Sequence, residues 1–490
     1  MTSPNVLLIV LDTARAKTVL PGSRNGVMPT VSRIAAEGTT FSNATTTAPW
    51  TAPSHASLFS GQYTSDHGTH GGHRQFDPDV LSLASRLSRQ DYRTMALSGN
   101  VWISPEFGFD AGFDRFSMKW DLFWDGADLS RASTADGPRA RIQGLLSEVS
   151  MSTAPKTLAN ALYAKFLTNR YDDGAWLTTR RATRWIRQHD PSERPWFFFL
   201  NYLEPHLRYD PPTGYREKFV PPGTDLARLD EIDQDPWRYL LGDTDITDEE
   251  FDALRGLYMG ELNYLDTQIA RLYGALSAAG VLDETVLIIA SDHGENIGDH
   301  GFMDHQYCLY DTLVHVPLIV RYPPAFDMGA TVDSMVEMRD LYPTLLELAG
   351  DTAEEVSENV SHNSLVPTDG IHSTRDHAIS EYITPQPSMD ALDAQVGPLP
   401  ARIREHDRAL RSIRTADWKF IEGTDGRTEL YDIARDPDET TNVAAAHSDV
   451  VEELSDELER ERGSLERDTR RSDSISDRNR QRLEDLGYLQ

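Results

Sequence analysis

The sequence predicts an α/β fold, with a mostly parallel mixed sheet between helices and a small antiparallel α+β subdomain after it. Three features of the 490-residue chain carry this. Short, nearly continuous apolar runs recur, as in strands covered on both faces. Amphipathic stretches of helical period separate them, and strand–helix alternation is the pattern of a parallel sheet. Towards the C-terminus the pattern becomes polar–apolar alternation broken by hairpin turns.

In chain order the strand candidates are VLLIVLD (6–12), YRTMALSG (92–99), WFFFLNYL (196–203), TVLIIASD (285–292) and VPLIVRYP (316–323). The helix candidates are PTVSRIAAEG, VLSLASRLSRQ, LTTRRATRWIRQH, a long stretch from about Asp248 to Ala279, and MRDLYPTLLELAG. Together they define a main domain over 1–355, interrupted at 124–171 by a polar stretch without strand period that reads as a lid or insertion. The segment 356–375, with VSENVSHNSLVPTDGIHS, reads as a linker. HAISEYI, LRSIRTADWKFIEG and TELYDI form a subdomain over 376–445 with turns at Gly423 and Asp425-Gly426, and 446–490 reads as a charged, solvated helical tail.

Hydrophobic content of 39%, with nine Trp and seventeen Phe, excludes general disorder. A net charge of −31 argues against nucleic acid as a partner. Lysine occurs only at Lys17, Lys119, Lys156, Lys165, Lys218 and Lys419, so arginine supplies nearly all the positive charge. Such an acidic, lysine-poor surface suits a salt-rich cell interior, where screening removes self-repulsion, and predicts a halophilic origin. The single cysteine, Cys308, excludes a disulfide within the chain and a cysteine-based zinc cluster, and reads as a packing residue. The run MTSPNVLLIVLD has no basic flank and ends in Asp12, so it reads as a buried strand rather than a signal peptide. No apolar run approaches the roughly 20 residues of a membrane helix. The expectation is a soluble, cytoplasmic protein without a transmembrane segment; pairing of the charged tail with a second subunit would make it a homo-oligomer.

Ligands in such folds bind beyond the carboxyl ends of the strands. That rule selects Asp12, Asp292 and the stretch Glu204 to His206. SDHGE, Ser291 to Glu295, sets Asp292 beside His293 at a strand end, before a glycine that permits a sharp turn. Asp and His there can present two ligands to one divalent ion, with Asp12 as a third. The plainer alternative is that both aspartates cap helices. In WTAPSHASLFSG, Thr51 fits the N-cap of a helix with Pro53 in its first turn. A helix N-terminus is also an anion site, and a hydroxyl there beside a cation loses its proton readily, so a cap can also be a nucleophile. His67, His70 and His73 in SDHGTHGGH either bind metal or, as loop histidines more often do, cap and pack.

The chain resembles the sulfatase branch of the alkaline-phosphatase superfamily. NVLLIVLD, PTVSRIAAEGTTFSNA, WTAPSHASLFSG, FFFLNYLEPHLRYDPP, YMGELNYLDTQIARL, SDHGENIGDHG, HVPLIVRYP and RTADWKFIEGTDGRTELYDIARDPDETTNVA occur in the family's order over most of residues 5 to 445. The resemblance implies an alkaline-phosphatase-like core and one divalent metal ion (Mn, Mg, Ca or Zn) on Asp12, Asp292, His293 and the oxygen of Thr51. It makes Thr51 the nucleophile, with His206, His300 and His305 touching substrate or leaving group. His55 stands where sulfatases usually carry an arginine beside the nucleophile, His305 where many carry a lysine on the sulfate, and Asn100 in SGNVWIS replaces a G-K-x-H stretch.

Sulfatases convert a Cys or Ser at the nucleophile position into formylglycine, and a threonine cannot become that aldehyde, so no formylglycine is expected. The hydrated aldehyde expels sulfate by breaking a carbon–oxygen bond. A threonine sulfate has no such exit, whereas water can attack a phosphothreonine at phosphorus. Thr13 follows Asp12 where many sulfatases have a further Asp ligand. These departures resemble the threonine-nucleophile phosphodiesterases and the phosphoglycerol and phosphoethanolamine transferases. The expectation is a metal-dependent hydrolase of a phosphoric, less readily a sulfuric, ester of a small molecule, lipid or glycan. A transferase, a true sulfuric-ester hydrolase and an inactive anion-binding relative stand as alternatives, as does a second metal on Glu204, His206 and His305.

Overall fold

The computed structural model describes residues 3–22, 26–77, 79–122, 156, 172–189, 194–351, 359–468, 475, 479–480 and 482–483. Its strands are β1 (Asn5–Leu11), β2 (Thr39–Phe41), β3 (Ala44–Thr45), β4 (Arg93–Ser98), β5 (Arg115–Met118), β6 (Trp196–Tyr202), β7 (Thr285–Ser291), β8 (Asn296–Ile297), β9 (Met303–Asp304), β10 (Leu318–Arg321), β11 (Ala330–Val332), β12 (Val336–Glu337), β13 (His377–Tyr382), β14 (Leu410–Thr415), β15 (Trp418–Gly423) and β16 (Thr428–Asp432). Eight of them form the central sheet in the order β11-β2-β10-β7-β1-β6-β4-β5. Every pairing in it is parallel except those of β10, which runs antiparallel to β7 and β2. The α/β, alkaline-phosphatase-like expectation holds, and all five apolar runs are strands of this sheet.

Two cores explain why those runs are apolar at every position. On β1, Val6, Leu8 and Val10 face one hydrophobic cluster, while Leu7, Ile9 and Leu11 face another. Phe197 and Phe199 of β6 join the first cluster, Phe198 and Leu200 the second. Successive side chains of a strand point to opposite faces, so a sheet covered on both sides needs no polar alternation. The first face is covered by helices Thr51–Ser60, Leu83–Arg89 and Leu341–Leu348, the second by Pro29–Ala36, Ala175–Gln188 and the long helix Asp248–Ala279. The long helix starts at a reciprocal capping box between Thr247 and Glu250 and stops at Gly280 in the left-handed region, φ 73°.

A second, antiparallel sheet has the order β13-β14-β15-β16. The helix Ser448–Arg462 lies on it, with Leu454 and Leu458 buried among Ile379, Ile413, Phe420 and Leu430. That corrects the reading of a solvated tail: the helix is charged outward, but its leucines close the core of this sheet. The stretch expected as a linker is likewise packed. Leu365 is fully buried, and Ser361 donates to Asp340 Oδ1 at 2.5 Å. Apart from Lys156, the lid expected over 124–171 lies outside the described residues. Among the described residues no helix is long and apolar enough to cross a membrane.

Candidate active site

Strand register builds the centre of the site. Leu11 of β1 pairs with Ser291 of β7, so the next residue of each strand, Asp12 and Asp292, emerges side by side at the carboxyl edge of the sheet. On the other flank of β1, Leu11 pairs with Tyr202 of β6, and Ser98 of β4 pairs with Asn201 of β6. Asn100 and the Glu204 to His206 stretch therefore leave the sheet at the same edge.

His293 follows Asp292 directly. Its Nδ1 donates to the Gly294 carbonyl at 2.9 Å, which leaves the lone pair on Nε2. That nitrogen lies 3.7 Å from Asp12 Oδ1, 3.5 Å from Asp292 Oδ2 and 3.2 Å from Thr51 Oγ1. Gly294 is not among the residues of positive φ, so no left-handed backbone requires a glycine here. Space is the constraint instead, because a Cβ there would lie 2.0 Å from the Thr312 carbonyl oxygen. Thr13, by contrast, is held at φ 60°, a strained value for a β-branched residue, with its N–H 3.4 Å from Asp292 Oδ1.

Thr51 opens the helix Thr51–Ser60, all of whose residues are buried. Trp50, in extended conformation, is the N-cap, and no side chain caps this end. Thr51 is thus the first residue inside the helix rather than its cap, and its hydroxyl faces the site. Asn100 Nδ2 donates to Asp12 Oδ2 at 2.6 Å and to Thr51 Oγ1 at 3.3 Å. The Asn100 Oδ1 accepts from Trp102 N at 2.9 Å, which fixes the amide with its donors towards the site. Ser54 Oγ donates to the Asp292 carbonyl at 2.7 Å, one turn further along the helix. His55 Nδ1 donates to the Thr51 carbonyl at 2.9 Å and its ring packs edge-on against Phe199. Burial lowers the His55 pKa to about 4, so it is neutral where an arginine would bring charge.

A second group of side chains adjoins the first. His305 stacks obliquely against His293, ring centroids 4.4 Å apart, and edge-on against His206 at 5.3 Å. His305 Nδ1 contacts Asp304 Oδ1 and lies 3.4 Å from Glu295 Oε1. Although burial opposes charge there, the two carboxylates hold the His305 pKa well above its usual value. His206 Nδ1 donates to the Leu207 carbonyl at 2.6 Å; burial and the nearby His305 lower its pKa to about 4. One ligand atom from each of His206, Asp304 and His305 lies within 4.8 Å of the others. Asp304 takes the place that sequence reasoning gave to Glu204, which instead accepts from Ala175 N at 3.0 Å. Asp304 and Glu295 went unrecognised in the sequence, although each sits beside a histidine motif, in MDHQY and SDHGE.

The remaining candidates have partners of their own. His300 stacks on Tyr310 at 3.8 Å, and its charged neighbours are Asp299, Lys419, Glu429 and Arg15. His67 and His70 tie their loop together and to its surroundings: Thr69 N donates to His67 Nδ1 and Gly72 N to His70 Nδ1, each at 3.0 Å, while His67 Nε2 lies 3.0 Å from Ser57 Oγ and His70 Nε2 3.2 Å from Asp468 Oδ2. Cys308 is buried in the first hydrophobic cluster.

Asp12 Oδ1 and Asp292 Oδ2 are buried and receive no hydrogen bond. Burial raises both carboxyls, Asp292 to about 7 and Asp12 well above its usual range, with repulsion from Asp292 adding to the shift at Asp12. Two bare, buried carboxylate oxygens converging with an imidazole lone pair fit a divalent cation. A sulfatase family model matches residues 4–351. Arylsulfatase K of Bos taurus is 25% identical over 481 residues, covering 93% of this chain and 81% of the relative. Choline-sulfatase of Rhizobium meliloti (strain 1021) is 27% identical over 465 residues, covering 90% and 82%. Among solved structures, the phosphonate monoester hydrolase of Agrobacterium radiobacter superposes with a TM-score of 0.65 at 22% identity, over 93% of this chain and 94% of that one. A protein solved with its substrate D-glucosamine-2-N,6-O-disulfate superposes with a TM-score of 0.68 at 19% identity, over 94% and 97%. The family match spans most of the chain, and the protein belongs to the sulfatase family of ester hydrolases in the alkaline-phosphatase superfamily.

Proposed function

We propose that the protein hydrolyses a phosphoric ester through Thr51 as a covalent nucleophile. The observation that carries this reading is the convergence of Asp12, Asp292 and the Thr51 hydroxyl on His293 Nε2, with Asn100 bridging Asp12 and Thr51, at the N-terminus of a buried helix. Asp12, Asp292, His293 and Thr51 would hold a divalent cation. Bound there, it would lower the pKa of the Thr51 hydroxyl and neutralise charge on the non-bridging oxygens of the substrate.

The chain's own groups supply the rest. Asn100 keeps the Thr51 oxygen oriented towards the substrate. Thr51 Oγ1 forms a bond to phosphorus as the bond to the leaving oxygen breaks. The positive end of the helix dipole at Thr51 stabilises the developing charge. His305, cationic between Asp304 and Glu295, gives the leaving oxygen its proton, with His206 beside it. Water then attacks the phosphothreonine at phosphorus, the bond from phosphorus to Oγ1 breaks, and Thr51 regains its hydroxyl. Phosphate is preferred to sulfate because a threonine sulfate lacks the carbon–oxygen exit that a hydrated aldehyde provides.

A substrate panel tests this: nitrophenyl phosphate, bis-nitrophenyl phosphate and nitrophenyl sulfate, at high salt, with manganese, magnesium, calcium or zinc added. Turnover of phosphate esters above the sulfate ester supports the reading. Turnover of the sulfate ester alone would return the protein to sulfuric-ester hydrolysis, the chemistry named for its arylsulfatase and choline-sulfatase relatives. If an added alcohol captures the phosphoryl group in preference to water, the enzyme is a transferase.

A further inference from the structure

We propose that a groove on the far side of the central sheet from the Thr51 helix binds a short anionic oligosaccharide, one whose sugar rings carry sulfate or phosphate esters. Its walls are the helix Ala175–Gln188 and the C-terminal part of the long helix Asp248–Ala279. Both helices cover the second face of the sheet, whereas the helix that begins at Thr51 covers the first. The groove has a volume of about 620 Å³, and Arg180, Arg184 and Arg187 line it from one helix, Arg271 from the other.

Charge sets this groove apart from the rest of the chain. Acidic residues outnumber Lys and Arg by 78 to 47. Yet Ala175–Gln188 carries no Asp or Glu, and neither does the long helix from residue 267 to its end. Arg180, Arg184 and Arg187 are spaced by four and three residues, so their side chains share one helix face. All four lining arginines are exposed. Among the described residues none of the four forms an ion pair, and Arg271 Nη1 donates to the neutral Gln268 amide, Oε1, at 2.9 Å. Four guanidiniums without carboxylate partners repel one another until an anion joins them, and their planar forks match sulfate and phosphate oxygens.

Two further features define the ligand. Trp176, on the same helix as the three arginines, is 40% exposed, and the Arg180 guanidinium lies 5.1 Å from its ring centroid. An indole offers a flat apolar platform to a sugar ring, and the cation beside it favours a ring that carries negative charge. Gly274 lines the opposite wall, where a Cβ would meet nothing within 4 Å, so the missing side chain keeps the groove open. From Arg180 to Arg187 the helix rises about 10 Å, a length of a few sugar rings. A longer polyanion, such as a nucleic-acid strand, would extend onto the surface of a chain of net charge −31.

Binding of an end-labelled sulfated hexasaccharide prepared from heparin, followed by fluorescence anisotropy at low and high sodium chloride, tests the groove. The parent is compared with a triple variant, Arg180→Gln with Arg184→Gln and Arg187→Gln, and with Gly274→Glu, which sets a carboxylate in the groove from the other wall. All four positions are exposed on helices, and glutamate forms helix better than glycine, so melting temperatures should stay near the parent's. The parent is expected to bind, with an affinity that falls steeply as salt rises, and each variant to bind at least about tenfold more weakly. The desulfated hexasaccharide should also bind the parent at least about tenfold more weakly. No binding by the parent, or undiminished affinity in either folded variant, overturns the site. An oligothymidylate held as tightly as the hexasaccharide overturns the assignment to a glycan. None of these readings involves the chemistry at Thr51, so they stand whether or not that residue is the nucleophile.

Discussion

Thr51 Oγ1 lies 3.2 Å from His293 Nε2, although the two residues belong to different elements, one to a helix start and the other to the end of a strand. The relationship depends on the β1–β7 register, because a one-residue slip would turn Asp292 away from Asp12 and take His293 off the threonine.

Asn100 links the two sides of this centre by donating to both Asp12 and Thr51. Asn100→Ala should lower kcat on bis-nitrophenyl phosphate by about a hundredfold, as loss of one oriented donor at a reacting oxygen does. KM and the melting temperature should change much less. Steady-state kinetics with a melting curve check this, and an unaltered kcat would remove Asn100 from the mechanism.

Removing metal should cost stability as well as activity. Asp12 and Asp292 present buried, unpaired oxygens, and a cation that binds only the folded chain stabilises it by mass action. Chelator-treated protein should melt lower than protein with added manganese, and turnover should return with the ion. In Asp292→Asn the manganese-dependent rise in melting temperature should shrink or vanish.

The antiparallel subdomain is held to the main body by a buried ion cluster. Lys419, fully buried, meets Asp311 Oδ1 at 2.7 Å and Glu439 Oε1 at 3.0 Å, and Arg414 Nε meets Asp311 Oδ2 at 2.9 Å. Arg414 and Lys419 hold the Asp311 carboxyl well below the usual carboxylate range, against the effect of burial. Asp311→Ala leaves both cations without this partner and should destabilise the fold by about 3–5 kcal/mol, read from urea unfolding.

His67 should make the protein acid-sensitive. Burial, with nearby His70 adding to it, lowers its pKa from 6.5 to about 3, so the folded chain keeps it neutral while the unfolded chain protonates it. Its contribution is therefore intact above pH 6.5 and lost progressively as pH falls towards 3. By pH 5 the loss is about 2 kcal/mol. In urea unfolding at pH 7.5 and pH 5, His67→Gln should show a smaller difference than the parent; an equal difference would assign the acid sensitivity to other groups.

Much of this was legible in the sequence because parallel strands covered on both faces are apolar at every position. VLLIVLD and TVLIIASD announced both strands and the aspartates at their ends. VPLIVRYP gave the strand but not its antiparallel direction, since a buried run reads the same either way. Thr51 looked like a cap because hydroxyls favour helix starts, whereas Trp50 occupies that position without a capping bond. Asp304 and Glu295 stayed hidden because their roles arise from contacts across separate turns, to a histidine ring that spacing alone does not aim. His300 sat in a suggestive DHG motif, yet the chain turns it onto Tyr310. Leu454 and Leu458 were masked by the surrounding charge of a helix that packs along one narrow stripe.

The central claim is that Thr51 forms the covalent intermediate. Parent and Thr51→Ala, matched for fold and metal content, are mixed with excess bis-nitrophenyl phosphate, quenched in acid during turnover, digested and mapped by mass spectrometry. The account predicts a phosphoryl or nitrophenyl-phosphoryl adduct on Thr51 in the parent, no adduct in the variant, and a turnover loss of at least about a thousandfold. Turnover in Thr51→Ala within about tenfold of the parent, a barrier change below about 1.4 kcal/mol, would contradict it.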